Sequence, residues 1–217
     1  MSTISPKSYL ENLNWRYATK QYDTSKKLSP EQIETLLEVL RLSPSSTGAQ
    51  PWKFIVVENP EIRQQLRAAA WGQPQVTDAS HFIIFAVKKG LPQSHIDRVV
   101  EVTAQQRGQK VEDLQGYKEM LMGSIGSRNT PEALIAWNKE QAHIALGFLL
   151  SAAAQLHIDA SPMGGFDPAK FDEILELDKE GLTTAVICGL GFRSPDDKYA
   201  QAAKARLPKE EVIEWRK

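Results

Sequence analysis

Two short basic clusters stand near opposite ends of the chain and are the first residues with chemical potential. Arg16-Tyr17-Ala18-Thr19-Lys20 sets two cations four residues apart, a spacing that puts both on one side of a helix or turn. Lys204-Ala205-Arg206 is a similar pair. Left apart, each is a solvated face. Brought together by the fold they form an anion clamp, in which charge-assisted hydrogen bonds to a phosphate are worth roughly 1.5–3 kcal/mol each. Between them runs Ser43-Pro44-Ser45-Ser46-Thr47-Gly48-Ala49-Gln50-Pro51-Trp52, dense in small hydroxyl residues. Small residues let a backbone approach a flat ligand closely, and hydroxyls can meet polar ring edges. A plain connecting loop is the competing reading. Gly189-Leu190-Gly191 follows an apolar run, as a dinucleotide-binding turn would, but Ser194 replaces the third glycine of that motif and Ser194-Pro195 opens no convincing helix. A turn at a strand end is the better reading.

Other chemistries lack their apparatus. The four histidines, His81, His95, His143 and His157, have no metal-ligand spacing. There is no nucleophile elbow and no Walker-type phosphate loop. The one cysteine, Cys188, sits in an apolar run and reads as an inert core thiol. With a single thiol, neither an internal disulfide nor a Cys-rich metal site is available, which points to a reducing compartment. Net charge is −1, so nothing advertises nucleic acid or an anionic membrane as partner. Met1 to Leu10 has no apolar core of signal-peptide length. Ala142 to Ile158, broken by Ser151, Gln155 and His157, reads as a buried helix rather than a membrane span. A cytoplasmic protein is the expectation.

The elements that must position these residues are legible in part. Ser29-Pro30-Glu31-Gln32 starts a helix with a capping box, and Ile33, Leu36, Leu37 and Leu40 follow at helical spacing until Ser43-Pro44. Phe54 to Val57 reads as a strand, and Asn59-Pro60-Glu61 starts another helix. His81 to Val87 is almost wholly apolar and is expected to be a central strand. Ser94 to about Gln115 reads as a polar helix. Gly116 to Asn129, with three glycines, reads as mobile or irregular; Met120 and Met122 within it suit either an acceptor pocket or core packing. Thr130-Pro131-Glu132 starts a helix expected to run to about His157 and, being apolar on most sides, to be buried on most sides. Asp167-Pro168 opens a short helix to Leu175, and Thr183 to Cys188 is a third strand. The tail from Leu207 to Lys217 carries Val212, Ile213 and Trp215, which must pack on something, a partner subunit included. Interleaved strands and helices mean a sheet with helices around it, in one domain of 217 residues.

Taken together, the chain resembles the FMN-dependent nitroreductase family, near the oxygen-insensitive NAD(P)H nitroreductases and dihydropteridine reductases. The resemblance rests on Arg16 to Lys20, Pro44-Ser45-Ser46-Thr47 to Gln50-Pro51-Trp52, Asp78-Ala79-Ser80-His81, Pro162-Met163-Gly164-Gly165-Phe166-Asp167 and Lys204 to Pro208, in the family's order across nearly the whole chain. It implies an α+β fold, a mostly antiparallel sheet wrapped by helices, in an intertwined homodimer with FMN at the subunit interface. It implies that Arg16, Lys204 and Arg206 hold the FMN phosphate, that Tyr17 and Ala18 line the cofactor, and that Lys20 sits near the N1–O2 edge of the ring, where an ammonium stabilises reduced flavin. Pro44, Ser45, Ser46 and Thr47 would reach the flavin of the other subunit. Pro162, Gly164 and Gly165 would lie along the ring, with a backbone N–H toward N5, and Gln73 or Gln75 would stand at its pyrimidine edge. The implied reaction is ping-pong: NADH or NADPH gives a hydride to flavin N5 and leaves, then a nitroaromatic, quinone or pterin takes two electrons. Four positions depart from the family's common pattern: Tyr17-Ala18 stands for His-Ser, Gly48 for asparagine and Gly164 for glutamate. The competing readings are a non-catalytic flavin-binding protein of the same fold, and a flavin-free NAD-binding dehydrogenase using Gly189 and Gly191.

Overall fold

Capping residues open most of the helices. The structure, a computed structural model, describes residues 4–217; Met1 to Thr3, where the segment without a signal-peptide core begins, lie outside the described residues. Ser5 accepts from the Ser8 N–H to cap α1 (Pro6–Trp15), a helix not anticipated because it buries none of its residues. The Ser29/Gln32 capping box opens α2 (Pro30–Arg41), whose Ile33, Leu36 and Leu40 are buried. After the Ser43 to Pro51 loop come β1 (Trp52–Val57), α3 (Pro60–Ala69) capped by Asn59, and a single helical turn α4 (Gln75–Asp78). β2 (His81–Lys88), α5 (Gln93–Arg107), α6 (Gln115–Gly126) and α7 (Pro131–Gln155) follow. The chain ends through β3 (Asp159–Met163), α8 (Pro168–Ile174), β4 (Leu182–Gly191) and a short α9 (Lys209–Val212).

The sheet has the order β1-β2-β4-β3 and every pair is antiparallel. β2 is central, as its composition demanded. Ile83, Phe85 and Val87 point into one core with Leu36 and Leu40 of α2 and Leu149 and Ala153 of α7. Phe82 and Ile84 point into the other with Leu66 of α3 and Phe171 of α8. Burial on both faces is why the strand is apolar at nearly every position. A third cluster joins Val100 of α5, Leu121 of α6 and Trp137 of α7. No helix among the described residues is long and apolar enough to cross a membrane.

Several expectations need correction. The helix expected to Gln115 stops at Arg107, because Gly108 takes a left-handed conformation (φ 63°) and closes it. The Gly116 to Asn129 stretch is mostly helix, α6; burial of Leu121 in the third cluster offsets the roughly 1 kcal/mol that each helical glycine costs. α7 runs as expected, yet Ile144 and Phe148 form an exposed face and, with Tyr9 and Val39, line an open cavity. Gly189 lies inside β4 and Gly191 is its last residue, so neither is in a turn beyond the strand. They admit neighbours: a Cβ at Gly191 would fall 2.8 Å from Tyr22, and one at Gly189 would fall 3.0 Å from Ala79. An antiparallel strand with no helix opening after it is no dinucleotide-binding turn. β3 carries no strand pattern of its own in the sequence, since Pro162 cannot donate to a ladder; β3 is an edge strand, where proline is tolerated. Arg16 to Lys20 is not a helix: Arg16 is extended, Ala18 forms a bridge and Lys20 lies in a bend.

Candidate functional site

The two basic segments meet beside β3. α1 closes at Arg16, whose extended backbone (φ −70°, ψ 142°) sends the chain past the sheet edge. There Ala18 bridges Ala160 in parallel. From the other end the chain leaves β4, passes a 3-10 turn at Lys198–Gln201 and returns along Arg16. The Lys204 ammonium donates to the Arg16 carbonyl across 188 residues of sequence. Arg16, Tyr17 and Ala18 on one side, and Tyr199, Lys204 and Arg206 on the other, line a cavity of about 320 Å³.

The electrostatics of this cavity are one-sided. Burial lowers the pKa of Arg16, and Arg206 beside it lowers it further. Burial, Arg16 and Arg206, in that order, lower that of Lys204. No carboxylate lines the cavity, and Arg16 Nε is buried with no hydrogen-bond partner. Three mutually repelling cations, one with an idle donor, make a site that gains from an anion.

The supporting network is satisfied. Asp197 is 2% exposed. It accepts from the Tyr17 hydroxyl (2.8 Å) and from the N–H groups of Lys20 (2.8 Å), Gln21 (3.1 Å) and Tyr199 (3.0 Å). Burial alone would raise its pKa, but these donors outweigh burial and hold it below the usual carboxylate range. The Tyr17 hydroxyl is pushed well up, by burial first and then by its bond to Asp197. The Arg193 guanidinium lies between the Trp15 and Tyr17 rings, 4.1 and 4.5 Å from their centroids. It donates through Nε to Asp159 (2.8 Å), which also accepts from Thr19 (3.3 Å). None of Asp159, Arg193 and Asp197 was expected from sequence. An acid or base in a turn is ordinarily solvated, and no spacing marks these three as partners.

From Ala160, β3 leads along the sheet edge to Gly164, about 13 Å away at the usual strand rise. Pro162 pairs in register with Cys188, whose thiol is buried and pushed up to about 12 by that burial. The position of a Cβ on Gly164 has nothing within 4 Å, so this corner is open. At Gly165 a Cβ would fall 2.8 Å from the Trp71 ring. Gln73 fixes the corner by donating to the carbonyls of Gly165 (2.6 Å) and Ala70 (3.1 Å). Gln75 is buried, and its side-chain oxygen has no partner.

Two expected groups stand apart from the cluster. Lys20 is exposed and does not line the cavity; only its backbone joins the Asp197 network. Pro44 and Ser45 line a different cavity, with Arg41, Gly48 and Gln50, that shares no residue with the first. That loop is nevertheless built firmly. Ser46 N–H donates to Gln141 (2.8 Å), Gln50 N–H to Ser45 Oγ (2.9 Å), and Tyr117 to the Thr47 carbonyl (3.0 Å). Thr47 and Gln50 hold left-handed backbones, φ 56° and 45°. Met120 and Met122 are exposed on α6. Among the described residues no group of three or more His, Cys, Asp or Glu could hold a metal.

Comparison with known proteins identifies the family. The sequence profile of the nitroreductase family matches residues 13–192. A provisionally named NAD(P)H nitroreductase of Staphylococcus epidermidis is 35% identical over 95% of this chain and 96% of its own. Among solved structures, a nitroreductase family protein from Streptococcus pneumoniae superposes with a TM-score of 0.80 at 26% identity, over 96% of this chain and 100% of its own. A provisionally named nitroreductase from Exiguobacterium sibiricum, solved in complex with FMN, superposes with a TM-score of 0.77 at 23% identity, over 99% and 100%.

Proposed function

The chain belongs to the nitroreductase family, an oxidoreductase family, and on that premise we propose that it is an FMN-dependent oxidoreductase. It draws electrons from NADH or NADPH and delivers them to a small oxidised acceptor, such as a nitroaromatic, a quinone or a pterin. The observation that carries this reading is the convergence of Arg16, Lys204 and Arg206 on one cavity without a carboxylate, with Arg16 Nε idle.

FMN fits the residues present. A phosphate matches the three cations and the idle donor. The edge strand β3 leads from that clamp to the open Gly164-Gly165 corner, as a ligand with a charged tail and a flat head requires. When bound, FMN supplies the two-electron relay between donor and acceptor, so the protein needs neither a nucleophile nor a metal of its own.

The chain's own residues bind and orient. Arg16, Lys204 and Arg206 hold the phosphate. Tyr17 and Ala18, pinned by Asp197 and Ala160, form the wall beside it. Gly164 and Gly165 offer a backbone edge to which a ring can come close. The Lys20 ammonium, free in solvent, is available to lie at the N1–O2 edge and stabilise negative charge there. Pro44, Ser45, Ser46 and Thr47, away from the clamp of their own chain, are read as completing the site of a second copy. The exposed Ile144 and Phe148 of α7, and the projecting Val212, Ile213 and Trp215 of the tail, are the surfaces a homodimer would cover.

The test is a visible absorption spectrum of the purified protein, before and after anaerobic NADH or NADPH. Flavin bands that bleach on reductant are expected. Bound flavin that never bleaches would mean a non-catalytic flavin carrier, and a protein that takes up no added FMN would end the proposal.

A further inference from the structure

Trp71 stands out by its place at the end of α3, its exposure and its neighbours. It is a bulky residue with a left-handed backbone, φ 55°, a conformation that costs a side-chain-bearing residue roughly 1–2 kcal/mol. It is 73% exposed, and among the described residues its ring is paired with no other aromatic ring and no cation. Its position is also held firmly. The Gly72 N–H donates to the Arg67 carbonyl (2.9 Å), the Gln73 N–H to that of Ala70 (3.1 Å), and Arg67 Nε returns a bond to the Gly72 carbonyl (3.1 Å). The Gly72-to-Arg67 bond is the C″-to-C3 bond of a Schellman cap that closes α3, so the left-handed backbone of Trp71 is what the cap requires; that place ordinarily takes glycine, and an exposed indole there is what folding leaves unexplained.

The ring's location says which function. Its six-membered edge lies where a Cβ on Gly165 would be, 2.8 Å from Cζ3 and 3.7 Å from Cη2. Only glycine at 165 lets the indole sit there. The neighbouring Gly164 opens onto free space. The indole therefore flanks the open corner, at the far end of β3 from the cation clamp.

We infer that Trp71 is the aromatic wall of the acceptor site, which selects flat conjugated acceptors by stacking on them. The inference rests on the reading that FMN lies along Gly164 and Gly165. An aromatic pair adds roughly 0.5–1.5 kcal/mol beyond burial, which is about 2- to 12-fold in affinity.

The test uses the FMN-loaded protein and the variants Trp71→Phe and Trp71→Asn. Asparagine tolerates the left-handed backbone, so removing the ring also removes the strain. Flavin content and FMN affinity are measured first. Benzoate, and cyclohexanecarboxylate as its saturated counterpart, are then titrated against the flavin absorbance, and thermal melting is recorded. Wild type and Trp71→Phe should prefer benzoate. Trp71→Asn should lose that preference severalfold, keep its FMN, and melt at the same or a higher temperature. A protein without FMN would defeat the underlying reading and this inference with it. Normal FMN binding with benzoate preference intact in Trp71→Asn, or a wild type with no preference, would overturn the role of Trp71 alone. So would a lower melting temperature in Trp71→Asn, because it would make the indole a packing group.

Discussion

Arg16 and Arg193 are near neighbours in opposite circumstances. Arg193 reaches the carbonyl of Trp15, lies between two aromatic rings and has Asp159 as its carboxylate. Arg16, one residue on from Trp15, faces Lys204 and Arg206 and keeps an idle Nε. The matched arginine holds the fold together. The unmatched one costs the fold something, and a cost retained at one place points to a ligand that removes it. Two arginines of the same chemistry thus divide into structure and site by whether a carboxylate accompanies them.

The sharpest break is to remove the unmatched side. Lys204→Ala with Arg206→Ala deletes two charge-assisted contacts of roughly 1.5–3 kcal/mol each, so FMN affinity should fall by more than about a hundredfold. The cofactor-free variant should melt no lower than wild type. Flavin fluorescence titration and a thermal melt measure both, and unchanged FMN affinity would refute the clamp. Breaking the matched side has the reverse signature. Asp159→Asn leaves Arg193 half-buried without its carboxylate and should cost about 3 kcal/mol of stability by urea denaturation. A loss below about 1 kcal/mol would show that solvent already screens this pair.

Asp197→Asn tests the link between the two sides. It weakens the acceptor for Tyr17 and three backbone N–H groups and should cost about 1–2 kcal/mol. FMN affinity should fall while riboflavin, which lacks the phosphate, binds as before; equal loss for both would mean general unfolding of the region.

The smallest effect is on pH dependence. Lys204 has a lowered pKa when folded, so between that value and its ordinary 10.5 the unfolded chain binds more protons. Stability of the cofactor-free protein should therefore rise slightly with pH through that window. Lys204→Ala, or saturating inorganic phosphate, should flatten the rise in a series of urea midpoints.

The matched and unmatched sides were not equally legible. The cations of the clamp stood out as pairs, and the resemblance to nitroreductases placed them together. Their partners in the network did not stand out, because a buried acid in a turn is spelled like a solvated one. The same contrast runs through the fold. β2 and α2 could be read because burial on two faces, or a capping box, leaves a local pattern. β3 could not, since Pro162 is acceptable only at the edge position that tertiary structure confers. α6 could not, because its glycines are outweighed by contacts with α5 and α7 that no local pattern records. Trp71 gave no signal at all; its interest lies in its exposure beside Gly165 and in an absent neighbour.

The contact between Lys204 and Arg16 spans 188 residues, and it sets a clock. At about 5–20 residues per second, Arg16 waits about 10–40 s on a ribosome before Lys204 is even made. Through that interval every strand of the sheet has been synthesised, yet the anion site has only one of its walls. Cofactor capture must then be a late event in the biogenesis of this protein, after the last strand is made, and a chain truncated before Lys204 would hold every strand of the sheet but not the clamp.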